Sequence, residues 1–538
     1  MVWLMLCLLG CRSDDPPPPT AGDTGSATGL TGSPSNTAAT AATADTADIV
    51  ACEPAEPPPP TGPHLEDLRI CATLHPPFSP GNRFYWARAS ELQGLGGVQV
   101  APSEGAQAHW RVETVDGHLP SDPTLTDRRL RIDVGDGAAT STYAVALLSD
   151  TFPVPVTCGT PAAPGWTFLT LTNKEEVPYR PAAMVVDAHG TPGWWQEEER
   201  PSFDLRVTAD GRISWVGRLP GTLDMRGFVR AADGSLAVQL GAGPVPDHWR
   251  SARVDEHEWE VLADGTARRI LTYRVQEDLS PWGGPSVQSV EHQVAQHVDL
   301  EGSLLFQFST EGLLPYDELP AELLARMNDT SWEPFHINSI DVDPTDGHWV
   351  LSLQRVSTVV KVARTGPRQG EVLWVLGGLS SDFRFLGDPR DGGWEGFAGQ
   401  HSVRVTGPNR IELFDNANAA QGGVGDVRVL ELQLDTDALT AETVWERVWT
   451  GRGQAYAGGS VQSLPGGGHL VGFGSLDRDA QGRAVPAVAE LGVDDRVVWN
   501  LWLPEHMWSY RAWRFEGDPL QGAWVPRSAE GVAAEVPE

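Results

Sequence analysis

Basic residues are scarce in this chain: 39 Lys and Arg stand against 72 Asp and Glu, a formal net charge of −33 over 538 residues. A nucleic-acid binder needs clustered Lys and Arg to neutralise phosphates, so that class is excluded and no nucleic acid is expected among the partners. Tyrosine (7) and cysteine (5) are also few. No Cys-x-x-Cys, His-Glu-x-x-His or Gly-rich phosphate loop occurs, so neither a metal nor a cofactor is assigned. Long apolar heptads are missing, which argues against a helical bundle. What is plentiful is 58 Gly, 43 Pro and 21 Trp, a composition suited to an all-β chain with many turns. The length allows roughly two to four domains, and 40% hydrophobic residues suffice for a substantial core.

Residues 3–9 are apolar and too few for the roughly 20 that span a bilayer. Leu8-Leu9-Gly10-Cys11 resembles a bacterial lipobox, in which Cys11 would be lipidated and become the mature N-terminus. Arg12 rather than Asp follows, which suits delivery to the outer membrane, on its periplasmic or its exterior side. Residues 12–63 hold two Pro runs (16–19 and 57–60) around a Thr/Ala/Gly/Ser-rich stretch, and no aromatic occurs from 12 to 77. Such a segment cannot bury enough apolar area to offset its ordering entropy and reads as a tether. Asp23-Thr24-Gly25 mimics an aspartic-protease motif, but it lies in the tether without a second copy. Export permits disulfides among Cys52, Cys71 and Cys158, with the pairing open.

Residues 64–157 alternate in short runs, such as Ala108/Trp110/Val112, Leu130–Val134 and Thr142–Leu148, and are expected to form a small β-sandwich. From Trp166 a turn followed by a strand ending in an aromatic recurs: Asp187–Trp195, Asp210–Trp215, Leu300–Phe306, Gly370–Trp374, Ala441–Trp445 and Asp495–Trp499. Hairpins at this spacing suggest the blades of a β-propeller, with the aromatic packed between neighbouring blades. The expected organisation is a signal segment 1–11, a tether 12–63, the sandwich 64–157, a propeller 158–515 and a tail 516–538.

A second element recurs within the same unit, at His257–Gly265, His336–Gly347, His401–Asn409 and Ser460–Gly468. The innermost strand of each blade lines the central channel, so equivalent positions face one another across it. That converts three distant histidines into one convergent cluster, a stronger signal than a lone His, which usually packs as a half-buried residue. A ring of imidazoles also suits zinc or copper. His292 and His297, five apart, share no face of a strand or helix and read as surface residues.

Phe335–Pro344, Ser352–Arg355, Val359–Val362, Val372–Gly378, Ser381–Phe383, Gln400-His401 and Leu413–Asn416 together resemble the arylsulfotransferase family. Tyr273 and Leu279–Gly284 are similar to its arylsulfotransferase-like branch. The resemblance covers about 166–515. It implies a phosphoadenosine-independent enzyme, a six-bladed β-propeller behind a small β-domain, that moves a sulfuryl group from a phenolic sulfate donor to a phenol acceptor through a sulfo-histidine. It puts the nucleophile at His401 and acid or charge-stabilising roles at His336 and His257. Asn338 and Ser460 are candidate substrate-binding residues: Asn338 lies two residues along from His336, and Ser460 holds the equivalent place in the next blade.

The family pattern that the resemblance implies has an arginine eighteen residues after the histidine of its His-x-Asn motif. From His336 that position is Gln354, with Arg355 one residue late. In a strand one residue turns a side chain to the other face. Either a bulge in the turn 343–348 brings Arg355 to the pocket, or the cationic clamp is lacking. The competing reading is a non-catalytic, lipid-anchored propeller that binds an aromatic or anionic ligand.

Overall fold

The computed structural model describes residues 59–525 apart from 93, 116–124, 174, 220, 232–234, 388–395 and 480. The signal segment with Cys11, the tether up to residue 58 and the tail beyond 525 lie outside the described residues. The described chain is nearly all-β, and its one α-helix is the four residues Ala321–Leu324.

The N-terminal part holds a four-stranded sheet in the order Phe84–Arg88, Thr140–Leu148, Arg128–Gly135 and Gln107–Thr114, and a ribbon of Leu65–Arg69 with Gln99–Pro102. Strand alternation decides its core: Leu130, Ile132 and Val134 point inward and meet Tyr143, Val145 and Leu147 from the next strand, with Leu65 from the ribbon. Trp110, of the alternating run in Gln107–Thr114, is instead 39% exposed.

Among the described residues six sheets of four or five strands follow, antiparallel except where Arg384–Leu386 pairs in parallel with Thr440–Val448 in the fifth. The first is Pro192–Glu197, Ala182–Val186, Trp166–Asn173 and Met507–Phe515; the second runs from Phe203–Val207 to Leu236–Leu240, and the third from Arg250–Val261 to Leu304–Ser309. The fourth runs from Ile337–Val342 to Val372–Gly377. The fifth has His401–Gly407 at its edge, and the sixth has Ser460–Ser463 at its edge. Met507–Phe515 pairs with Trp166–Asn173 and so joins the end of the series to its beginning. Val156–Gly159 adds to the sixth sheet.

The recurrent aromatics pack between consecutive sheets. Phe306 of the third meets Trp349 of the fourth edge-on at 4.8 Å, and Trp195 and Trp499 share one core between the first and sixth. Cys71 and Cys158 are both disulfide-bonded. His292 and His297 correct the sequence reading: neither is at the surface. His292 is fully buried with Nε2 2.6 Å from Glu277 Oε1, and His297 Nε2 lies 2.6 Å from Thr266 Oγ1. Both sit on Gln288–Asp299, an interior strand of its sheet, where each face is covered and the strand's alternation does not separate core from solvent.

Buried charge ties the facing edge strands together. Glu258 meets Arg206 at 2.7 Å, Arg404 at 3.1 Å and Arg511 at 3.3 Å, and Arg206 and Arg511 each reach Asp204 at 2.8 Å. Burial alone would push the Glu258 carboxyl up, but the charges of Arg404, Arg206 and Arg511 hold it well below the usual carboxylate range. Glu258→Ala would remove a carboxylate shared by three buried guanidiniums and leave Asp204 with Arg206 and Arg511. The expected loss is about 3–5 kcal/mol of unfolding free energy by denaturant titration, and a surface-like change under ~0.5 kcal/mol would contradict the account.

Candidate active site

His257, His336 and His401 all come from edge strands of consecutive sheets: within Arg250–Val261, immediately before Ile337–Val342, and at the head of His401–Gly407. Their approach is shaped by unusual backbone. His336 has φ +65° and Ser402 φ +55°, the left-handed region that non-glycine residues enter at a cost. The His336 amide donates to Gln293 Oε1 at 3.1 Å, and its carbonyl accepts from the Gln354 amide at 2.9 Å. Gly399 (φ +65°) leads into Gln400-His401; a Cβ there would lie 2.8 Å from that of Asn418.

The imidazoles of His257 and His336 face each other with Nε2 atoms 3.1 Å apart and rings nearly perpendicular. Their outer nitrogens each meet a carboxylate: His257 Nδ1 meets Asp255 Oδ1, and His336 Nδ1 lies 2.7 Å from Glu333 Oε1. A carboxylate accepts, so both Nδ1 atoms carry protons, and the Nε2 contact requires one more between them. Three protons on two rings make the pair a single shared cation. Burial works against that charge on His257, but Asp255 outweighs it and raises His257 to about 8. Asp255, which burial would raise, is held down to about 2 by the His257 charge and hydrogen bond. Thr272 Oγ1 donates to its other oxygen at 2.6 Å. Glu333, against its own burial, is held well below the usual range by His336 and then Arg355.

His401 is the opposite case. It is 2% exposed, and its Nδ1 lies 2.8 Å from Asn416 Oδ1. The Asn416 amide is oriented by Nδ2 donating to the Gly458 carbonyl at 3.0 Å, so Oδ1 must accept the His401 Nδ1 proton. The Nε2 lone pair is thereby left for chemistry. Burial lowers the His401 pKa well below 6.5, with the positive charge of His257 adding to the effect and the Asn416 bond opposing it. Thus a neutral imidazole stands with its ring centre 6.4 Å from that of His257.

Tyr510, from the strand that closes the first sheet, meets both rings edge-on, 5.5 Å from His257 and 6.5 Å from His401. Its hydroxyl is buried without a partner among the described residues, and burial pushes its pKa up despite Arg511, whose guanidinium lies 4.9 Å over the ring. Arg511 Nη2 also donates to the Asn338 carbonyl at 2.7 Å.

The remaining candidates have these surroundings. A bulge falls between Ile337 and Ser339, so Asn338 is not a plain two-residue neighbour of His336. Its Nδ2 donates to the Gln400 carbonyl at 2.7 Å, which braces the chain just before His401, and its Oδ1 is buried without a partner among the described residues. Gln354 and Arg355 follow the end of Trp349–Leu353 in a turn, so strand alternation does not govern them, and the bulge lies in the partner strand rather than in 343–348. Arg355 Nη2 donates to Glu333 Oε2 at 3.2 Å and thus reaches His336 through a carboxylate. The Ser460 hydroxyl donates to the Ala512 carbonyl at 3.2 Å and accepts its amide at 3.0 Å. Among the described residues no group of three or more His, Cys, Asp or Glu is arranged to hold a metal ion.

The model of the family described as arylsulfotransferase (ASST) matches residues 238–500, a span that contains all three histidines. That region belongs to the arylsulfotransferase family. Membership points to sulfotransferase-like chemistry in general. The arylsulfotransferase match stops short of Tyr510 and Arg511. No curated protein matches the chain. Solved structures similar to it include a protein of unknown function from Bacteroides caccae, 12% identical with a TM-score of 0.39, covering 65% of this chain and 98% of that one. The periplasmic gluconolactonase PpgL of Pseudomonas aeruginosa is 13% identical with a TM-score of 0.32, covering 74% and 99%. The Cps50 (Swd1) β-propeller domain of Myceliophteria thermophila is 10% identical with a TM-score of 0.29, covering 60% and 90%.

Sequence reasoning missed Asp255, Glu333, Asn416 and Tyr510. Asp255 stands two residues before His257, a spacing that shares a strand face and offered a readable signal. Asn416 closes the Leu413–Asn416 motif but carried no assigned role. Glu333 and Tyr510 had no signal, since a loop and a distant closing strand deliver them.

Proposed function

We propose that this chain is an aryl sulfotransferase that carries a sulfuryl group from a phenolic sulfate ester to a phenol through a sulfo-His401 intermediate. The observation that carries the reading is the His401 imidazole: neutral, with Nδ1 pinned to Asn416, beside a cationic His257/His336 pair. His401 Nε2 attacks sulfur in line as the S–O bond to the aryl group breaks, which leaves SO3 on Nε2. The departing phenolate takes the proton shared by His257 and His336, and a neutral phenol leaves. In the second half the acceptor phenol returns a proton to the pair as its oxygen attacks sulfur and frees His401. The sulfuryl group passes through a loose state with charge on its oxygens, much as in phosphoryl transfer. Tyr510, through its unpaired hydroxyl, is the donor suited to those oxygens.

The architecture that suits this chemistry is a six-bladed propeller over 158–515, with the edge strands lining its channel, behind a β-sandwich at 64–157. We extend the proposal to an exported lipoprotein, anchored at the outer membrane through lipidated Cys11 and the 12–63 tether. Absence of label on Cys11 after growth with a fatty-acid probe would remove that part.

The test is a chromogenic aryl sulfate supplied with and without an acceptor phenol. Acceptor-dependent release of the chromophore is expected, and no release between pH 5 and 9 would sink the reading. That result would favour the non-catalytic binder, for which the engagement of Arg355 by Glu333 is the supporting observation. Asn416→Leu frees the His401 tautomer, and kcat should fall on the order of 10²-fold with KM little changed. An unchanged kcat would remove Asn416 from the account.

A further inference from the structure

Glu333, the Nδ1 partner of His336, also lines a cavity of about 150 Å³ whose wall includes Arg274, Arg326, Ser331, Trp332 and Arg355. His336 bonds Glu333 through Nδ1 and His257 through Nε2, so Glu333 links the cavity wall to the histidine pair. Two polar atoms at its wall, Ser331 Oγ and Arg355 Nε, are buried without a hydrogen-bond partner among the described residues. Orphaned buried donors carry a desolvation cost that a ligand oxygen removes.

The charges fit the same kind of ligand. The carboxylates here are already neutralised: Glu291 takes Arg274 at 2.7 Å and Arg253 at 3.4 Å, Asp329 takes Arg326 at 2.9 Å, and Glu333 takes His336 and Arg355. Three guanidiniums and three carboxylates line the cavity, and Arg253 meets Glu291 from outside that lining, so every carboxylate there is paired even in a chain of net charge −33. The volume equals roughly five waters' share of liquid, room for a carboxylate or sulfate group.

We infer that this cavity is an oxyanion subsite, separate from the position of the transferred sulfuryl group, that takes a carboxylate, sulfonate or sulfate through Ser331 Oγ and Arg355. The oxyanion has two sources: a substituent on the aryl substrate, a case that rests on the sulfotransferase reading, or a free inorganic anion. In either case Arg355 and Glu333 connect the subsite to His336.

Calorimetric titration of the full-length protein with sodium sulfate tests the subsite without turnover. Loss of one charge-assisted bond should weaken binding about tenfold in Ser331→Ala and in Arg355→Gln, while binding persists in His401→Ala. Sulfate affinity unchanged in both subsite variants, or abolished by His401→Ala, overturns the proposal. Kinetics separate the sources. If a substituent occupies the cavity, 4-hydroxyphenylacetate should have a KM about tenfold below that of 4-methylphenol, and Ser331→Ala should erase the difference. Equal KM values with sulfate binding intact identify the free anion, and equal KM values without sulfate binding overturn the subsite. Absence of turnover alongside variant-sensitive sulfate binding counts against the sulfotransferase reading and leaves the subsite standing.

Discussion

His401→Ala should abolish sulfuryl transfer, with kcat/KM for an aryl sulfate down by at least about 10³-fold. The size of the effect follows from what the residue contributes. Its Nε2 lone pair forms the new bond to sulfur, and no neighbour duplicates it: His257 and His336 spend their Nε2 atoms on each other and their Nδ1 atoms on carboxylates. Residual turnover near wild type in a folded His401→Ala protein would mean that another group attacks. Because the ring is buried and largely enclosed, the cavity left by alanine also favours chemical rescue, so added imidazole should restore part of the release.

Replacing His257 should produce the second large effect, and with a signature in pH. The first half-reaction needs the shared proton, which His257 holds up to about 8. Activity should therefore be level below that value and fall as the pH rises through it. On the acid side His401 must stay neutral, and its pKa lies well below 6.5, so the plateau should extend below that value. The same shifts act on stability. His257, raised on folding, contributes below its ordinary 6.5 and loses that contribution as the pH rises through about 8. Asp255, lowered on folding, contributes above its ordinary 3.8 and loses that as the pH falls through about 2. His257→Ala should cost about 10²–10⁴-fold and remove the alkaline limb. The loss should be steepest for esters of weakly acidic phenols, whose phenolates most need a proton. An alkaline limb retained at the same pH in the variant would assign that titration elsewhere.

The resemblance is readable because one position repeats: His257 and His401 lie on the edge strand of a sheet and His336 immediately before one, and a repeat unit predicts that such strands face one another. The partners were not readable in the same way. Glu333 and Asn416 act through loop geometry, and the left-handed backbone at His336 and the bulge by Asn338 break the alternation on which face arguments depend. Strand faces do not decide between Gln354 and Arg355, because both residues sit in a turn and Arg355 reaches His336 through Glu333. The surface reading of His292 and His297 failed because residue spacing carries no information on a strand buried on both sides. The apparent conflict between an acidic chain and an anionic substrate also has a local answer. Three buried cations, Arg206, Arg404 and Arg511, pair with two carboxylates, Glu258 and Asp204, so the overall charge of −33 does not describe the interior.

The most direct measurement is mass spectrometry of the protein quenched after exposure to an aryl sulfate without acceptor, with peptides kept at alkaline pH to preserve a sulfonated nitrogen. The account predicts one added SO3 unit on the peptide that carries His401, discharged when a phenol is supplied and absent from His401→Ala. A protein that releases phenol rapidly while His401 stays unmodified, or that carries the SO3 group on another residue, would contradict it.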